Sequence, residues 1–476
     1  MPRSPTLGQA RTFLALAILC AACMVYYHLG IFVPRAIEVR AGQGFGNGYS
    51  FGADFYPIWR TSREVLHHHC DPYAPEMTRQ IQIGLFGRSL DPRNPAASPE
   101  YRAFSYPLFA DVLFWPSALL PFPLARIALA LILPVLTALS VVLWLKVVQL
   151  RVGSVMSAAL MLLTLTSYAV LEGLFAEQMG LLVGFLLAAS LAALVRERLF
   201  LSGALLSFAL IKPQMVLLVG VYLLFWSFAQ FRARWRFAAG VLFVAVMLGV
   251  ASLLISPRWI GEWLHIMYGY RQYSTPPLVS YLLGDEIGRL VGPTVIAALL
   301  ASGIVFAWSR SHMLPGAFEF GSTVSFLLAL TTITLLPGHS VYDHVLLLPG
   351  IILIAFSWRG FAASSAPFRI VLAVTTLALF WQWICAPLVV AVRPFVSRQV
   401  FISDLLTLPV RTAASIPFGV LALLGLMIWR RTRPTTAANG EKGAGEPATF
   451  HRLRIFVRAS RFFAGRSRKA TLTSAR

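Results

Sequence analysis

The sequence predicts an all-α fold, a bundle of transmembrane helices that crosses the bilayer about twelve times. Hydrophobic residues make up 58% of the chain and charged residues only 12%, against roughly 25% charged in an average soluble domain. Apolar runs of about 20 residues recur from Thr12 to Trp429, and each is long enough to cross roughly 30 Å of hydrocarbon as a helix. Basic residues cluster in the short segments between these runs, which orients the helices.

The first apolar run, residues 12–33, follows Arg3 and Arg11 and resembles a signal peptide in its charge pattern. The run is longer than a signal-peptide core, and it lacks a small-residue cleavage site. We therefore predict a retained first helix. Cys20 and Cys23 lie inside it and are interpreted as packing residues, and the four cysteines of the chain do not predict a disulfide framework.

The short loops rich in arginine and lysine should face the cytoplasm. Placing all of them on that side fixes the number of crossings between them and puts both termini inside. The predicted helical segments are 12–33, 124–147, 154–173, 178–195, 199–211, 213–230, 236–256, 290–308, 319–336, 343–357, 368–391 and 411–429. The sequence thus predicts a multi-pass protein of the plasma membrane.

Two regions fall outside this count. Residues 34–123 form a long first outer loop, and its apolar part, 104–123, contains four prolines and Asp111, so we interpret it as a re-entrant or interfacial segment on the outer side. The transmembrane module should end at residue 429. The tail, 430–476, carries twelve basic and two acidic residues, which favours anionic cytoplasmic lipids as its partner over nucleic acid.

The unusual polar residues of the chain gather on the predicted outer face. The cytoplasmic loops are too short for a nucleotide-binding domain, which needs about 100 residues of alternating strand and helix, and no glycine-rich phosphate-binding motif precedes a helix. Soluble nucleotides are therefore not expected as substrates.

Asp54 follows the first helix closely among aromatic residues that include Tyr56 and Trp59. A carboxylate at a membrane interface is costly unless it is used or paired, and aromatic rings there form the interfacial belt or a surface on which sugars stack. From the spacing alone, Asp54 is either a functional group or the partner of Arg60 or Arg63.

Several segments resemble glycosyltransferase family 87, which contains polyprenyl-phosphate-dependent mannosyltransferases and arabinofuranosyltransferases of the C-type superfamily. The resemblance covers most of residues 50–360. It is carried by ADFYPIWRTSREVL with the following DPY, FSYPLFADVLFWPSALLPFPLA, EQMGLLVGFLLAASLA, LSGALLSFALIKPQMVLLVGVYLL and HSVYDHVLLLPG. It implies an enzyme that takes a sugar from a lipid phosphate on the outer face and attaches it to a glycolipid or polysaccharide.

The resemblance also implies that Asp54 is the catalytic base. It would deprotonate the acceptor hydroxyl as that oxygen attacks the anomeric carbon, and a single base with direct displacement implies inversion of configuration. Tyr56 and Trp59 would then contact the acceptor or the sugar.

The leaving phosphate requires positive charge. Lys212 precedes Pro213 at the end of the short segment 199–211, where a lone lysine is a candidate phosphate ligand, although it could also extend to the interface. Arg258 and Arg271 are secondary candidates that are equally explained as solvated loop charges. Glu177 and Gln178 open a helix on the outer face and are candidates for sugar or acceptor binding, or for stabilising the helix dipole.

One short outer turn contains His339, Tyr342, Asp343 and His344. The resemblance implies that His339 or His344 hydrogen-bonds to the phosphate or sugar of the donor. A metal site needs three or more ligands at suitable spacing, and the run His67–His69 is better explained as an exposed helix. We therefore predict neither a metal nor another cofactor.

Two other functions remain open from the sequence. A secondary transporter or lipid flippase would show broken helices in inverted repeats with polar residues at the membrane midplane. A non-catalytic membrane scaffold would leave Asp54, Lys212 and the histidine turn without a role. Arrangement of these groups around one site would favour an enzyme.

Overall fold

A computed structural model describes residues 6–42, 46, 48–90, 101–270, 274–362 and 365–432. These residues form helices and connecting turns, and none of them lies in a strand. An isolated antiparallel bridge joins Pro277 to Pro337. The predicted all-α class is confirmed for this part of the chain.

The helices of the first half are α1 (Leu7–Tyr27), α2 (Val33–Gly42), α3 (Tyr56–His68), α4 (Pro75–Phe86), α5 (Leu108–Ala118), α6 (Phe122–Val147), α7 (Ser154–Leu165), α8 (Tyr168–Ala176), α9 (Met179–Val195), α10 (Leu199–Phe208) and α11 (Pro213–Ala229). Those of the second half are α12 (Phe231–Ile255), α13 (Trp259–Tyr270), α14 (Leu278–Leu282), α15 (Asp285–Leu290), α16 (Gly292–Ser309), α17 (Phe318–Thr334), α18 (Leu348–Ala362), α19 (Ala366–Val392), α20 (Arg398–Val400), α21 (Leu408–Ala413) and α22 (Ile416–Thr432). Each of the twelve predicted segments coincides with one or two of these helices.

Within the described ranges, seven continuous helical stretches are long and apolar enough to cross a membrane. They are Leu7–Gly42, Phe122–Val147, Phe231–Ile255, Gly292–Ser309, Val341–Trp358, Ala366–Phe395 and Arg411–Arg431. Helices α7 and α8 add an eighth if they are counted as one span, although they are bent by 61°. The chain is therefore a multi-pass membrane protein.

The predicted count of about twelve spans is not confirmed. The remaining four predicted segments correspond to shorter apolar helices of 10–17 residues, namely α9, α10, α11 and α17. At 1.5 Å per residue a helix of that length rises about 26 Å at most, a little less than the hydrocarbon thickness. Hydropathy alone did not separate these short helices from full spans.

The apolar segment 104–123 contains α5, which begins after Pro107 and ends before Pro121. Its 11 residues rise about 16 Å, so α5 is too short to cross the bilayer alone. This length agrees with the interpretation of the segment as one that does not span.

Large apolar side chains remain exposed on the outward faces of the long helices. Leu131 on α6 is 68% exposed and Leu254 on α12 is 83% exposed. Such faces suit a solvent of lipid chains, since hydrocarbon does not penalise apolar surface as water does.

The break between α7 and α8 directs the chain toward the candidate site. Thr166 and Ser167 separate the two helices, and the Ser167 hydroxyl accepts a hydrogen bond from the backbone N–H of Val170 (3.4 Å), which caps α8. A serine at this position satisfies one of the N–H groups that the first turn of a helix leaves unpaired. The C-terminal end of α8 then lies against the loop that carries Asp54.

Candidate active site

A tight turn before α3 holds Asp54. Gly52 has a φ of +75°, in the left-handed region that favours glycine. Its backbone N–H donates to the carbonyl of Phe175 (2.9 Å), and the N–H of Asp54 donates to the carbonyl of Ala176 (3.1 Å). Both carbonyls belong to the last turn of α8, where helix carbonyls lack intrahelical partners. These bonds fix the backbone of Asp54 against α8.

The carboxylate of Asp54 has two side-chain partners. Arg102 Nη1 donates to Oδ1, and Gln178 Nε2 donates to Oδ2. Neither partner is one of the arginines that the sequence suggested, because Arg60 pairs with a glutamate on α3 and Arg63 lies over an aromatic ring. Tertiary contacts, and not neighbours along the chain, set the environment of Asp54.

The side chain of Gln178 connects Asp54 to Lys212. Glu177 follows the last residue of α8 as its C-cap, and its backbone is left-handed (φ 55°, ψ 52°). The next residue, Gln178, is the N-cap of α9. This turn aims the Gln178 amide between the two charged residues. Lys212 Nζ donates to Gln178 Oε1 at 3.4 Å.

Lys212 lies at a break between two helices. A 3-10 turn, Ala209–Ile211, follows α10, and Pro213 begins α11. Lys212 Nζ donates to both oxygens of Asp343, at 2.6 and 2.8 Å, and lies 5.0 Å from the ring centroid of Tyr342. The structure thus joins Lys212 to the turn at residues 339–344, which the sequence predicted to lie on the outer face.

The close approach of these groups depends on a glycine in α9. A Cβ atom at Gly180 would meet Oδ1 of Asp343 and would lie 3.4 Å from Nζ of Lys212. Any larger residue at this position has to displace the ion pair.

We call Asp54, Arg102, Gln178, Lys212 and Asp343 the polar centre. Its two carboxylates and two cations balance in charge, which is the arrangement that buried ions require. The side chains differ in access, since Arg102 is 20% exposed and Asp54 12%, whereas Lys212 is 11% and Asp343 1% exposed. Asp54 is therefore the carboxylate of the polar centre that a substrate can reach.

Glu177 lies next to the polar centre but does not join it. It is completely buried, neither carboxylate oxygen has a hydrogen-bond partner among the described residues, and Oε2 packs against Gly52. Burial raises the pKa of Glu177 to about 8, and the positive charge of Arg126 opposes that rise. Arg126 donates to the carbonyl of Phe51 (3.3 Å), so Glu177 and Arg126 contact the loop of Asp54.

Tyr56 and Trp59 lie on α3 in an aromatic cluster with Phe122. Their ring centroids lie 5.0 and 5.1 Å from that of Phe122. Trp59 is buried and its Nε1 donates to the carbonyl of Leu120 (3.0 Å), while the Tyr56 hydroxyl packs against Gly84. In this conformation both rings pack α3 against α6.

The remaining candidates are not members of the polar centre. His339 is exposed and its Nδ1 lies 2.5 Å from the Thr275 hydroxyl. Arg258 is exposed just before α13, and Arg271 lies outside the described residues. His344 lines a cavity of about 170 Å³ whose walls are mainly apolar and include Phe13, Leu160, Leu348, Leu379 and Trp383.

No group of three or more histidine, cysteine, aspartate or glutamate side chains in the described part of the chain could hold a metal ion. Within the run His67–His69, His68 Nδ1 lies 3.0 Å from a carboxylate oxygen of Glu64, one turn earlier on α3. This local pair accounts for the placement of His68.

Arg102 and Arg126 are the two residues near the site that sequence reasoning missed. Arg102 immediately precedes the apolar segment 104–123, and Arg126 is the lone charge in the first turns of α6. An isolated arginine at the end of an apolar run is the pattern that could have identified both.

The long apolar helices define a multi-pass membrane protein. Two members of its polar centre, Gln178 and Lys212, lie at the N-terminal ends of the shorter helices α9 and α11. Residues 104–335 match the model of glycosyltransferase family 87. This match confirms the resemblance. The chain carries a glycosyltransferase family 87 domain and is a membrane glycosyltransferase. The family suggests the C-type superfamily. Gln178 and Lys212 lie within the matched range, and Asp54 and Asp343 lie outside it. Neither a curated protein nor a solved structure matches the chain.

Proposed function

We propose that this enzyme moves a sugar of the mannose or arabinofuranose type from a polyprenyl-phosphate donor to a glycolipid or polysaccharide acceptor. The transfer takes place on the periplasmic or extracellular face of the plasma membrane and inverts the anomeric configuration. The observation that carries the proposal is the polar centre, in which one accessible carboxylate is connected through Gln178 to a buried lysine.

Asp54 acts as the general base. Its carboxylate is oriented by Gln178 and by the backbone bonds to α8, so it can accept the proton of an acceptor hydroxyl. The acceptor oxygen then attacks the anomeric carbon, and the bond from that carbon to the phosphate oxygen breaks. General-base assistance of this kind contributes about 10²–10⁴ in rate.

Lys212 stabilises the departing phosphate. Asp343 holds its ammonium in place with two hydrogen bonds, and a fixed cation stabilises developing charge without reorganisation. Arg258, Arg271 and His339 are further candidates for the donor phosphate because each places a positively charged or hydrogen-bonding side chain in a predicted outer loop.

A lipid-linked donor is supported by the apolar cavity beside His344. The cavity begins one residue from Asp343 and is lined by helices α1, α7, α18 and α19. A polyprenyl chain requires an apolar path of this kind next to its phosphate. His344 would contact the junction of phosphate and lipid.

The acceptor side of the site comprises Gln178, Glu177, Tyr56 and Trp59. Gln178 belongs to the polar centre and contacts Asp54 and Lys212. The other three side chains would affect acceptor binding by fixing the positions of the Asp54 loop and of α3. With both termini cytoplasmic, the basic tail would meet anionic lipids of the inner leaflet.

The test is donor choice by the purified protein in liposomes. We expect transfer from a polyprenyl-phosphate sugar of the mannose or arabinofuranose type, and no transfer from the corresponding nucleotide sugar. Efficient turnover with the nucleotide sugar alone would overturn the proposal. Movement of lipid or solute across the bilayer without any transfer would favour a transporter.

A further inference from the structure

Arg102 hydrogen-bonds to one of the two carboxylate oxygens of Asp54, the proposed base. Its Nη1 donates to Asp54 Oδ1 and its Nη2 donates to the carbonyl of Gly48 at 3.2 Å. The side chain is 20% exposed, more than that of Lys212. A guanidinium presents a planar fork of donors that matches phosphate oxygens as well as carboxylates.

The charge balance of the proposed reaction moves one negative charge from Asp54 to the phosphate. The donor is a phosphodiester with one negative charge. When the acceptor hydroxyl gives its proton to Asp54 and its oxygen bonds to the anomeric carbon, Asp54 becomes neutral. The phosphate leaves with the bonding electron pair and, as a monoester, carries two negative charges. A cation that contacts the phosphate instead of Asp54 therefore matches the charges that this step produces.

We infer that Arg102 exchanges partners: it pairs with Asp54 in the free enzyme and with the donor phosphate in the complex. Donor binding would thus free Oδ1 of Asp54 to contact the acceptor hydroxyl. This inference rests on the proposed function and adds a phosphate ligand to it.

The geometry of the polar centre suits such an exchange at Arg102 and not at Lys212. When Arg102 leaves, Gln178 still donates to Oδ2 of Asp54 and keeps the carboxylate oriented. Lys212 is held by both oxygens of Asp343, which is 1% exposed. Breaking that pair would leave a buried charge without a partner, which is strongly unfavourable.

The test measures the affinity of the full-length protein in detergent for farnesyl phosphate, a short polyprenyl phosphate. The variants are Asp54→Asn, Arg102→Gln and the two combined. We expect Asp54→Asn to tighten binding about two- to fivefold, because Arg102 no longer has a competing carboxylate and a partly exposed ion pair contributes in that range. Arg102→Gln should weaken binding about tenfold or more through loss of charged hydrogen bonds.

The combined variant separates partner exchange from a general effect of charge. If Asp54 acts through Arg102, the gain from Asp54→Asn disappears in the Arg102→Gln background. An equal gain in both backgrounds would show simple relief of repulsion between Asp54 and the phosphate, and would overturn the exchange. Tightening that is absent or reversed in Asp54→Asn would overturn it as well.

Two further variants guard against misfolding and non-specific effects. Arg102→Lys keeps the charge without the planar fork and should retain part of the affinity, and no retention despite a wild-type melting temperature would contradict a role in phosphate binding. Arg63→Gln removes an arginine that stacks on Trp59 and should leave the affinity unchanged.

The outcome also separates this inference from the proposed function. A wild-type protein that transfers from the lipid donor, loses transfer in Asp54→Asn and shows no tightening would overturn the partner exchange alone. A wild-type protein that ignores farnesyl phosphate and uses a nucleotide sugar would overturn both.

Discussion

Each of the two ion pairs of the polar centre joins an aspartate to a cation, but the two aspartates differ in access. Asp54 and Arg102 are 12% and 20% exposed, whereas Asp343 and Lys212 are 1% and 11% exposed. Asp54 divides its two oxygens between Arg102 and Gln178, while Asp343 gives both of its oxygens to Lys212. Because their carboxylates differ in exposure, we call the pair of Asp54 and Arg102 the open pair and that of Asp343 and Lys212 the closed pair, although the side chain of Lys212 is itself 11% exposed.

This difference assigns different roles to two similar carboxylates. A base must be reached by the hydroxyl that it deprotonates, within about 3 Å, so only the open pair can provide one. The closed pair fixes a cation in place, since a buried ion pair is costly to separate. We accordingly propose Asp343 as a positioning residue for Lys212.

The largest expected effect comes from comparing Asp54→Asn with Asp343→Asn. Asp54→Asn should lower kcat about 10²–10⁴-fold, because it removes the basic oxygen without changing the shape. Asp343→Asn should instead lower the stability of the folded protein by about 3–5 kcal/mol, because it leaves Lys212 without its counter-charge. Transfer assays and thermal unfolding in the same detergent measure both effects. Normal turnover in Asp54→Asn would remove the base assignment.

A smaller effect is expected from crowding the closed pair through α9. Gly180→Ala places a methyl group against Asp343 and Lys212, and the resulting displacement should lower turnover about 10- to 100-fold. The matched control is Gly249→Ala in α12, where a Cβ meets nothing within 4 Å. The control should keep its activity and gain up to about 1 kcal/mol of stability from helix propensity. Equal behaviour of the two variants would mean that the pair tolerates the methyl group.

The smallest expected effect concerns Glu177 and pH. Burial raises the pKa of Glu177 to about 8 in the folded protein, against about 4.3 in the unfolded chain. Between these values the folded state holds a proton that the unfolded state releases. The stabilisation is therefore fully present below about pH 4.3 and is lost as pH rises through about 8.

Glu177→Gln removes this ionisation while keeping the shape of the side chain. The melting temperature of the wild type should fall relative to that of Glu177→Gln as the pH is raised from 5 to 9. Parallel curves for the two proteins across that range would show that folding does not raise the pKa of Glu177.

The positions of the helices followed from the sequence because apolar runs are bounded by charged residues. All twelve predicted segments correspond to helices, yet among the described residues seven continuous stretches have the length and composition of a span. The bend at Thr166 and Ser167 could not be predicted from hydropathy, because both flanking helices are apolar. The helices α9, α10, α11 and α17 are also apolar, and they differ from the longer helices in the length of the helix in the folded structure.

The members of the candidate site could be recognised singly but not as partners. Asp54 and Lys212 stand out because a charge beside an apolar run is costly. Their partners are remote, since Arg102 is 48 residues from Asp54, Gln178 is 124 residues from Asp54, and Asp343 is 131 residues from Lys212. These residues come together through tertiary packing, which includes the contacts of α8 and α9 with the segment Val341–Leu347 that carries Asp343.

Aromatic residues beside the base were harder to interpret. Tyr56 and Trp59 have the composition of a sugar-stacking surface, but their rings pack against Phe122 in the described structure. An interfacial ring that stacks on a sugar and one that packs between helices have the same sequence pattern. Their contact with the acceptor stays a prediction.

The anomeric configuration of the product is the most direct test of the central claim, a single displacement assisted by one accessible carboxylate. Proton NMR of the linkage formed from a polyprenyl-phosphate sugar of known configuration measures it. Because Asp343 is closed and paired with Lys212, no second carboxylate of the polar centre is available as a nucleophile, and we predict an inverted product. A product that retains the configuration of the donor would contradict the single displacement and the role of Asp54 as its base.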